Sequence, residues 1–203
     1  WFDAHAYLNL FRKSLKGRQV TFVQGEIARL NRKGNAMTGV TLADGTVIDH
    51  VGGLADLETR TIRFIGDAEA RIREDYLRIL RFFRFHATYG KGAPDAAGLA
   101  ACTRLRKGIE NLSAERIRQE LLKILVAPRA VETLKVMAAS HILERVLDHV
   151  PAWRMIARLP ADSVLRLSAL ARHSAGLRDR LRLSNEEARR LQQIAEAPTL
   201  TPE

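Results

Sequence analysis

The run Arg71-Ile72-Arg73-Glu74-Asp75-Tyr76-Leu77-Arg78-Ile79-Leu80-Arg81-Phe82-Phe83-Arg84-Phe85 concentrates five arginines and two carboxylates in fifteen residues of helical spacing. At 3.6 residues per turn, Asp75 and Arg78 project from nearly the same side of a helix, beside its apolar stripe, and Arg81 and Arg84 follow at steps of three. A fixed carboxylate acceptor next to a fixed guanidinium donor complements cytosine and adenine, each of which offers an exocyclic amino group beside an unprotonated ring nitrogen. Uracil and guanine present a carbonyl beside an N–H, so both protein groups would be left unmatched. Contacts of this bidentate kind discriminate by roughly 1 to 3 kcal/mol. The remaining arginines could then hold a triphosphate. The same spacings also make ordinary surface ion pairs, Glu74 with Arg78 among them, worth a few tenths of a kcal/mol. Spacing alone leaves both readings open.

The elements that must position these residues are mostly helical. Ala68 to Thr88 reads as one long helix, with Ile72, Tyr76, Ile79, Leu80, Phe83 and Ala87 on its buried stripe. Ser113 is placed to cap a helix over Ala114 to Val126, whose stripe is Ile117, Leu121, Ile124 and Leu125, with Pro128 beyond its end. Shorter helices are predicted from about Arg129, His141, Pro151 and Asp162. Ser184 and Glu187 form a capping box for a last helix that ends before Pro198. The first part differs: a helix over Phe2 to Lys16, then strands at Val20–Val23, Glu26–Asn31 and Met37–Leu42, with Thr61 to Ile65 as a last short strand. The fold class is therefore mainly α, a helical array preceded by a small α+β segment with a β-meander.

Thirty-three Lys and Arg against 23 Asp and Glu give a net charge of +10, which favours a polyanionic partner such as nucleic acid and says little about fold. The one cysteine, Cys102, excludes an internal disulfide and fits a reducing, cytoplasmic compartment. No apolar run reaches the roughly 18 to 20 residues that span a bilayer, so no membrane partner is expected. The chain opens on Trp1 instead of Met, as a trimmed, processed or internal start would. His5, His86, His141, His149 and His173 are scattered without metal-site spacing and read as core or surface side chains. Trp153 reads as a packing residue, while Phe82 could either pack or stack on RNA.

Several motifs in order carry a family resemblance: Val51-Gly52-Gly53-Leu54-Ala55-Asp56-Leu57, Ile62 to Asp67, Arg71 to Phe85, Leu112-Ser113-Ala114-Glu115-Arg116-Ile117 with Glu120 and Leu121, and Arg182-Leu183-Ser184-Asn185. Together they resemble the neck and body of class II CCA-adding tRNA nucleotidyltransferases and bacterial poly(A) polymerases, over about three quarters of the chain. The resemblance implies that Asp75 and Arg78 form a protein template for incoming CTP or ATP, with Arg81 and Arg84 as further nucleotide contacts. It implies that Gly52, Gly53 and Asp56 form the flexible joint between head and neck, and that Ser113, Glu115 and Arg116 brace the neck helices. The partners it implies are tRNA, CTP and ATP.

The chain also departs from the pattern. The complete enzymes hold two metal ions, Mg²⁺, on a pair of aspartates two residues apart in a β-sheet head, and no Asp-x-Asp occurs here. No catalytic residue and no metal ligand is therefore expected in this chain. Alone it is expected to be inactive, with the head missing or supplied elsewhere. Residues 2–48, with Phe2-Asp3-Ala4-His5-Ala6, Val20 to Ile27 and Thr38 to Gly45, resemble a fragment of an FAD-dependent oxidoreductase of the D-amino-acid oxidase type, but lack the Gly-x-Gly-x-x-Gly turn that carries the flavin pyrophosphate. FAD is thus not expected to bind. Three segments follow: 1–48 as the oxidoreductase-like fragment, 49–127 as a neck with the template helix, and 128–203 as a helical RNA-binding body. Besides CCA addition, the readings are poly(A) polymerase, a non-catalytic RNA-binding module and, last, a flavoprotein fragment.

Overall fold

A computed structural model of the chain describes residues 25–33, 36–43, 49, 51–147, 153–170 and 176–196. The expected helix at Phe2 to Lys16, the strand at Val20–Val23 and His5, His149 and His173 lie outside the described residues. The chain divides into two compact units, 1–50 and 51–203. In the first, β1 (Ile27–Lys33) pairs antiparallel with β2 (Ala36–Leu42), from Ile27 opposite Leu42 to Lys33 opposite Ala36, with register shifts between Ile27 and Arg29 and between Asn31 and Arg32.

The second unit is helical throughout its regular elements. In chain order these are α1 (Gly53–Thr59), α2 (Ala68–Glu74), α3 (Leu77–Tyr89), α4 (Ala96–Arg104), a 3₁₀ turn over Arg106–Asn111, α5 (Ala114–Leu125), α6 (Ala130–Ala139), α7 (Ile142–Leu147), a second 3₁₀ turn over Trp153–Arg158, α8 (Ser163–Leu170), α9 (Leu177–Leu181) and α10 (Asn185–Glu196). Residues 61–65 form no strand, and no described segment pairs with them; Phe64 instead lays its ring on Phe82, with centroids 5.4 Å apart. α4 is a helix that no apolar stripe announces; Asp95 caps it by accepting the Gly98 N–H at 2.7 Å.

One core joins the array. α3 packs on α5 and α6, and α5 on α8 and α9. Both expected stripes face inward: Ile72, Ile79, Leu80, Phe83 and Ala87 from one, Ile117, Leu121, Ile124 and Leu125 from the other, are all buried. Each fully buried Leu, Ile or Phe side chain contributes roughly 1.5 to 3 kcal/mol relative to its exposed state. This core runs without interruption past the expected neck–body boundary at residues 127 and 128, from Ile72 to Leu183. Phe82 is also buried, which resolves its two readings in favour of packing, and Trp153 is partly buried against the same core.

Local capping follows the sequence. Ser113 accepts the Arg116 N–H, and Ser184 and Glu187 complete their reciprocal box at 3.2 and 2.7 Å. The long helix expected from Ala68 to Thr88 differs, since it is broken at Asp75. That residue is extended (φ −157°, ψ 109°), and its side-chain Oδ1 accepts the Leu77 N–H at 3.1 Å, so its carboxylate starts α3 instead of riding within a continuous helix. Aspartate competes for nearby backbone donors in this way, which is why it favours helix starts over helix interiors.

Candidate functional site

The break between α2 and α3 places the expected site residues. Asp75 and Arg78 stand one turn apart at the start of α3, where the Arg78 N–H donates to the Asp75 carbonyl at 3.0 Å while their side chains take different partners. The second carboxylate oxygen of Asp75 accepts from Arg116 Nη2 on α5 at 2.8 Å. Arg78 Nη1 donates to the Arg71 carbonyl at 2.8 Å and to Glu74 at 2.5 Å. Glu74 is also held by Arg71 at 2.9 Å. The side chains of Asp75 and Arg78 are 31% and 30% exposed, so both reach solvent at the rim of the core.

The electrostatics suit an ionised acceptor. Partial burial pushes the Asp75 carboxyl up, but the Leu77 amide and the Arg116 and Arg78 guanidinium groups outweigh it and hold the group below the ordinary aspartate range. Glu74 is lowered too, chiefly by the Arg78 hydrogen bond. Two cations and one further anion thus fix the pair from outside without closing it off.

The other two arginines diverge. Arg81 is exposed, with its guanidinium 5.8 Å from the Phe85 ring centre. Arg84 is only 18% exposed and its Nε meets the buried Glu120 of α5 at 2.5 Å, so it ties α3 to α5 while its plane covers Phe85 at 4.2 Å. Of the four arginine and aspartate positions singled out, Arg84 is the one taken up by packing.

The glycine element sits at the start of the helical unit. Gly52 adopts φ +74°, where a side chain is strained, and a Cβ there would lie 2.9 Å from Arg63 Nη2. Asp56, on α1, pairs with Arg63 at 2.7 Å, and Arg63 donates to the Val51 carbonyl. This knot follows directly on the boundary between the two compact units.

Arg116, which the family resemblance implies is a brace for the neck helices, also reaches the site. It lies 41 positions from Asp75, and only the packing of α5 on α3 brings it there. Its neighbours brace as expected: Ser113 caps α5, and Glu115 meets Arg182 at 2.9 Å. Arg118 reaches the Arg182 carbonyl and Glu187. The Leu112–Leu121 and Arg182–Asn185 motifs are therefore one joint, not two separate signals.

Comparison with known proteins supplies the frame for this geometry. Residues 95–153 match the family model described as "Probable RNA and SrmB- binding site of polymerase A". The human mitochondrial CCA tRNA nucleotidyltransferase 1 is 48% identical over 88 residues, covering 41% of this chain and 20% of the relative. The CCA-adding enzyme of Streptococcus sanguinis (strain SK36) is 30% identical over 201 residues, covering 91% of this chain and 50% of the relative. In structure, the CCA-adding enzyme of Bacillus stearothermophilus in complex with CTP superimposes with a TM-score of 0.67 at 26% identity, over 78% of this chain and 43% of that one. The helical unit belongs to the CCA tRNA nucleotidyltransferase and poly(A) polymerase family. The chain spans a fifth of the human CCA tRNA nucleotidyltransferase and half of the streptococcal CCA-adding enzyme. Coverage of 91% leaves about a tenth of the chain outside the streptococcal alignment, so much of the first 48 residues lies within it. The comparisons lend the flavoprotein resemblance of that segment no support.

No described helix is long and apolar enough to cross a membrane. Among the described residues no three His, Cys, Asp or Glu side chains come together in a way that could hold a metal ion, and the carboxylates nearest the site already face arginines. The described residues do not fit the metal pair of a complete nucleotidyltransferase. Cys102 is buried, its thiol pushed up to about 12 by burial, which leaves it inert as a nucleophile.

Proposed function

We propose that the helical unit supplies the nucleotide template and part of the RNA-facing surface of a CCA-adding tRNA nucleotidyltransferase, which extends tRNA 3′ ends with C, C and A from CTP and ATP. One observation carries this reading: Asp75 and Arg78 lie side by side at a helix start, partly open to solvent and each held from behind by a different partner. The ionised Asp75 accepts the exocyclic amino group, and Arg78 donates to the adjacent ring nitrogen. Uracil would set its carbonyl against the carboxylate and its N–H against the guanidinium, leaving two polar groups unmatched. Arg81 and Arg84 lie beyond, towards the triphosphate, with Arg84 acting mainly through its hold on α5. Gly52, Gly53 and Asp56 form the flexible joint between head and neck, residues 49–127 the neck, and residues 128–203 the RNA-binding body.

The Mg²⁺ chemistry of the complete enzyme belongs to residues this chain does not contain, since it has no Asp-x-Asp. The 203-residue protein is therefore expected to bind nucleotide and tRNA without synthesising CCA ends. A reducing, cytoplasmic setting is consistent with its one buried thiol.

Calorimetric titration of CTP, ATP, UTP and GTP tests the template. CTP and ATP should bind more tightly than UTP and GTP by about 10-fold, with the preference lost in Asp75→Ala and Arg78→Ala. Equal binding of all four, or preference surviving both substitutions, rejects it.

A second reading, bacterial poly(A) polymerase, is favoured by the description of the family model matching residues 95–153. Supplying a catalytic head in trans and sequencing the product separates the two: defined CCA ends support the first, A-tracts the second. A third, a non-catalytic RNA-binding module, gains if salt-sensitive tRNA binding survives both substitutions while no nucleotide preference exists.

A further inference from the structure

Beyond the template, α3 carries a ladder of rings. At 3.6 residues per turn Arg78, Arg81, Phe85 and Tyr89 fall within an arc of about 80° on one face of the helix. Arg84 covers Phe85 at 4.2 Å, Arg81 stands 5.8 Å from the same ring, and Phe85 stacks on Tyr89 with centroids 6.3 Å apart and planes 27° from parallel. The stack ends in the open: Phe85 is partly buried, but Tyr89 is 57% exposed. Past it the Lys91 N–H donates to the Arg60 carbonyl at 3.1 Å, which joins the backbones of two more exposed basic residues just beyond the end of α3. Among the described residues no carboxylate pairs with Arg60, Arg81 or Lys91.

We propose that Tyr89, extended by Phe85 and flanked by Lys91 and Arg60, is a stacking platform for the unpaired 3′ strand of the RNA. Every nucleobase has a π-face, so a ring ladder binds a single strand without reading its sequence, while cations on either side meet the phosphates. A protein that must accept successive strand ends differing in their last base needs this tolerance next to a selective template. α3 runs about 18 Å from Leu77 to Tyr89, so a strand lying along it would carry its end from the platform towards Asp75 and Arg78. The direction of the strand rests on the template reading above, whereas the platform itself does not. A duplex hides its bases from the rings, so the site should prefer single strands.

The test titrates the 203-residue protein with a short single-stranded RNA carrying 2-aminopurine near its 3′ end, reading affinity and quenching of the stacked base, with a duplex of the same sequence alongside. Tyr89→Ala should weaken single-strand binding about 10-fold and relieve the quenching. Tyr89→Phe should match wild type. Tyr89→Leu, which keeps an apolar contact with Phe85 but no ring, should behave as Tyr89→Ala, with thermal unfolding confirming that each variant is folded. The proposal is overturned if wild type does not quench the probe, if Tyr89→Ala or Tyr89→Leu binds as wild type does, if Tyr89→Phe is as weak as Tyr89→Ala, or if duplex binding falls equally. CTP preference, measured in parallel, separates the two readings: its absence with a Tyr89 effect rejects the template alone, and its presence without one rejects the platform alone.

Discussion

Arg116 and Asp75 are 41 residues apart in the chain and 2.8 Å apart in the fold, where the guanidinium takes one carboxylate oxygen while the Leu77 amide takes the other. The acidic half of the template is thus oriented by α5 as much as by its own helix. Because this pair is largely solvated, Arg116→Ala should cost less than about 1 kcal/mol of stability. Its clearer effect is on titration. Asp75 is lowered in the fold, so it contributes stability above its unfolded value of about 3.9 that is lost as pH falls through the folded value. Carboxyl NMR should show the Asp75 midpoint moving upward in Arg116→Ala, and an unchanged midpoint would contradict the role given to Arg116.

The Arg84–Glu120 bridge differs in kind, because both side chains are mostly shielded, at 18% and 9% exposure. Glu120→Ala leaves the mostly shielded Arg84 guanidinium without that carboxylate. A loss of about 2 to 3 kcal/mol is expected in urea unfolding, and Arg84→Met with Glu120→Leu should recover most of it. A loss within about 0.5 kcal/mol would place the bridge among ordinary surface pairs.

Gly108 lets the first 3₁₀ turn pass beneath Tyr76: a Cβ at Gly108 would fall 1.9 Å from Tyr76 Cδ1. Gly108→Ala must push that ring aside, at about 1 to 3 kcal/mol, and Tyr76 adjoins Asp75. Weaker CTP binding should accompany the lowered melting temperature. Combining it with Tyr76→Ala should remove the clash, so additive losses in the double variant would refute this contact as the cause.

His86 is buried, with Arg129 Nη1 3.4 Å from its Nε2, and burial first, then the Arg129 charge, lowers its affinity for a proton. The unfolded chain therefore binds a proton that the folded chain resists. Stability should be complete above the unfolded value of about 6.5 and should decline as pH falls through the lowered folded value. Denaturation followed from neutral to mildly acid pH should show this slope, and His86→Asn should flatten it. An equal slope in both proteins would assign the dependence to other groups.

How much of this was legible beforehand depends on the range of each interaction. Apolar stripes and caps are local, and Ile79, Leu80, Phe83, Leu121 and Ile124 lie buried where their period puts them. The Ser184–Glu187 box forms as its spacing requires, because both partners fall within one turn. α4 was overlooked because an alanine-rich run after Asp95 has little apolar contrast between its faces. The break at Asp75 was hidden because the apolar stripe continues across it, from Ile72 to Ile79, so periodicity alone reports no interruption.

The amino-acid sequence by itself determined the helical class, the inward faces of the main helices and the ordered motifs that mark the family, since these depend on residue type at short separation. Tertiary structure alone decided which charges face one another. It set Arg116 on Asp75 and withdrew Arg84 to Glu120, because side chains dozens of residues apart meet only where helix packing brings their backbones together.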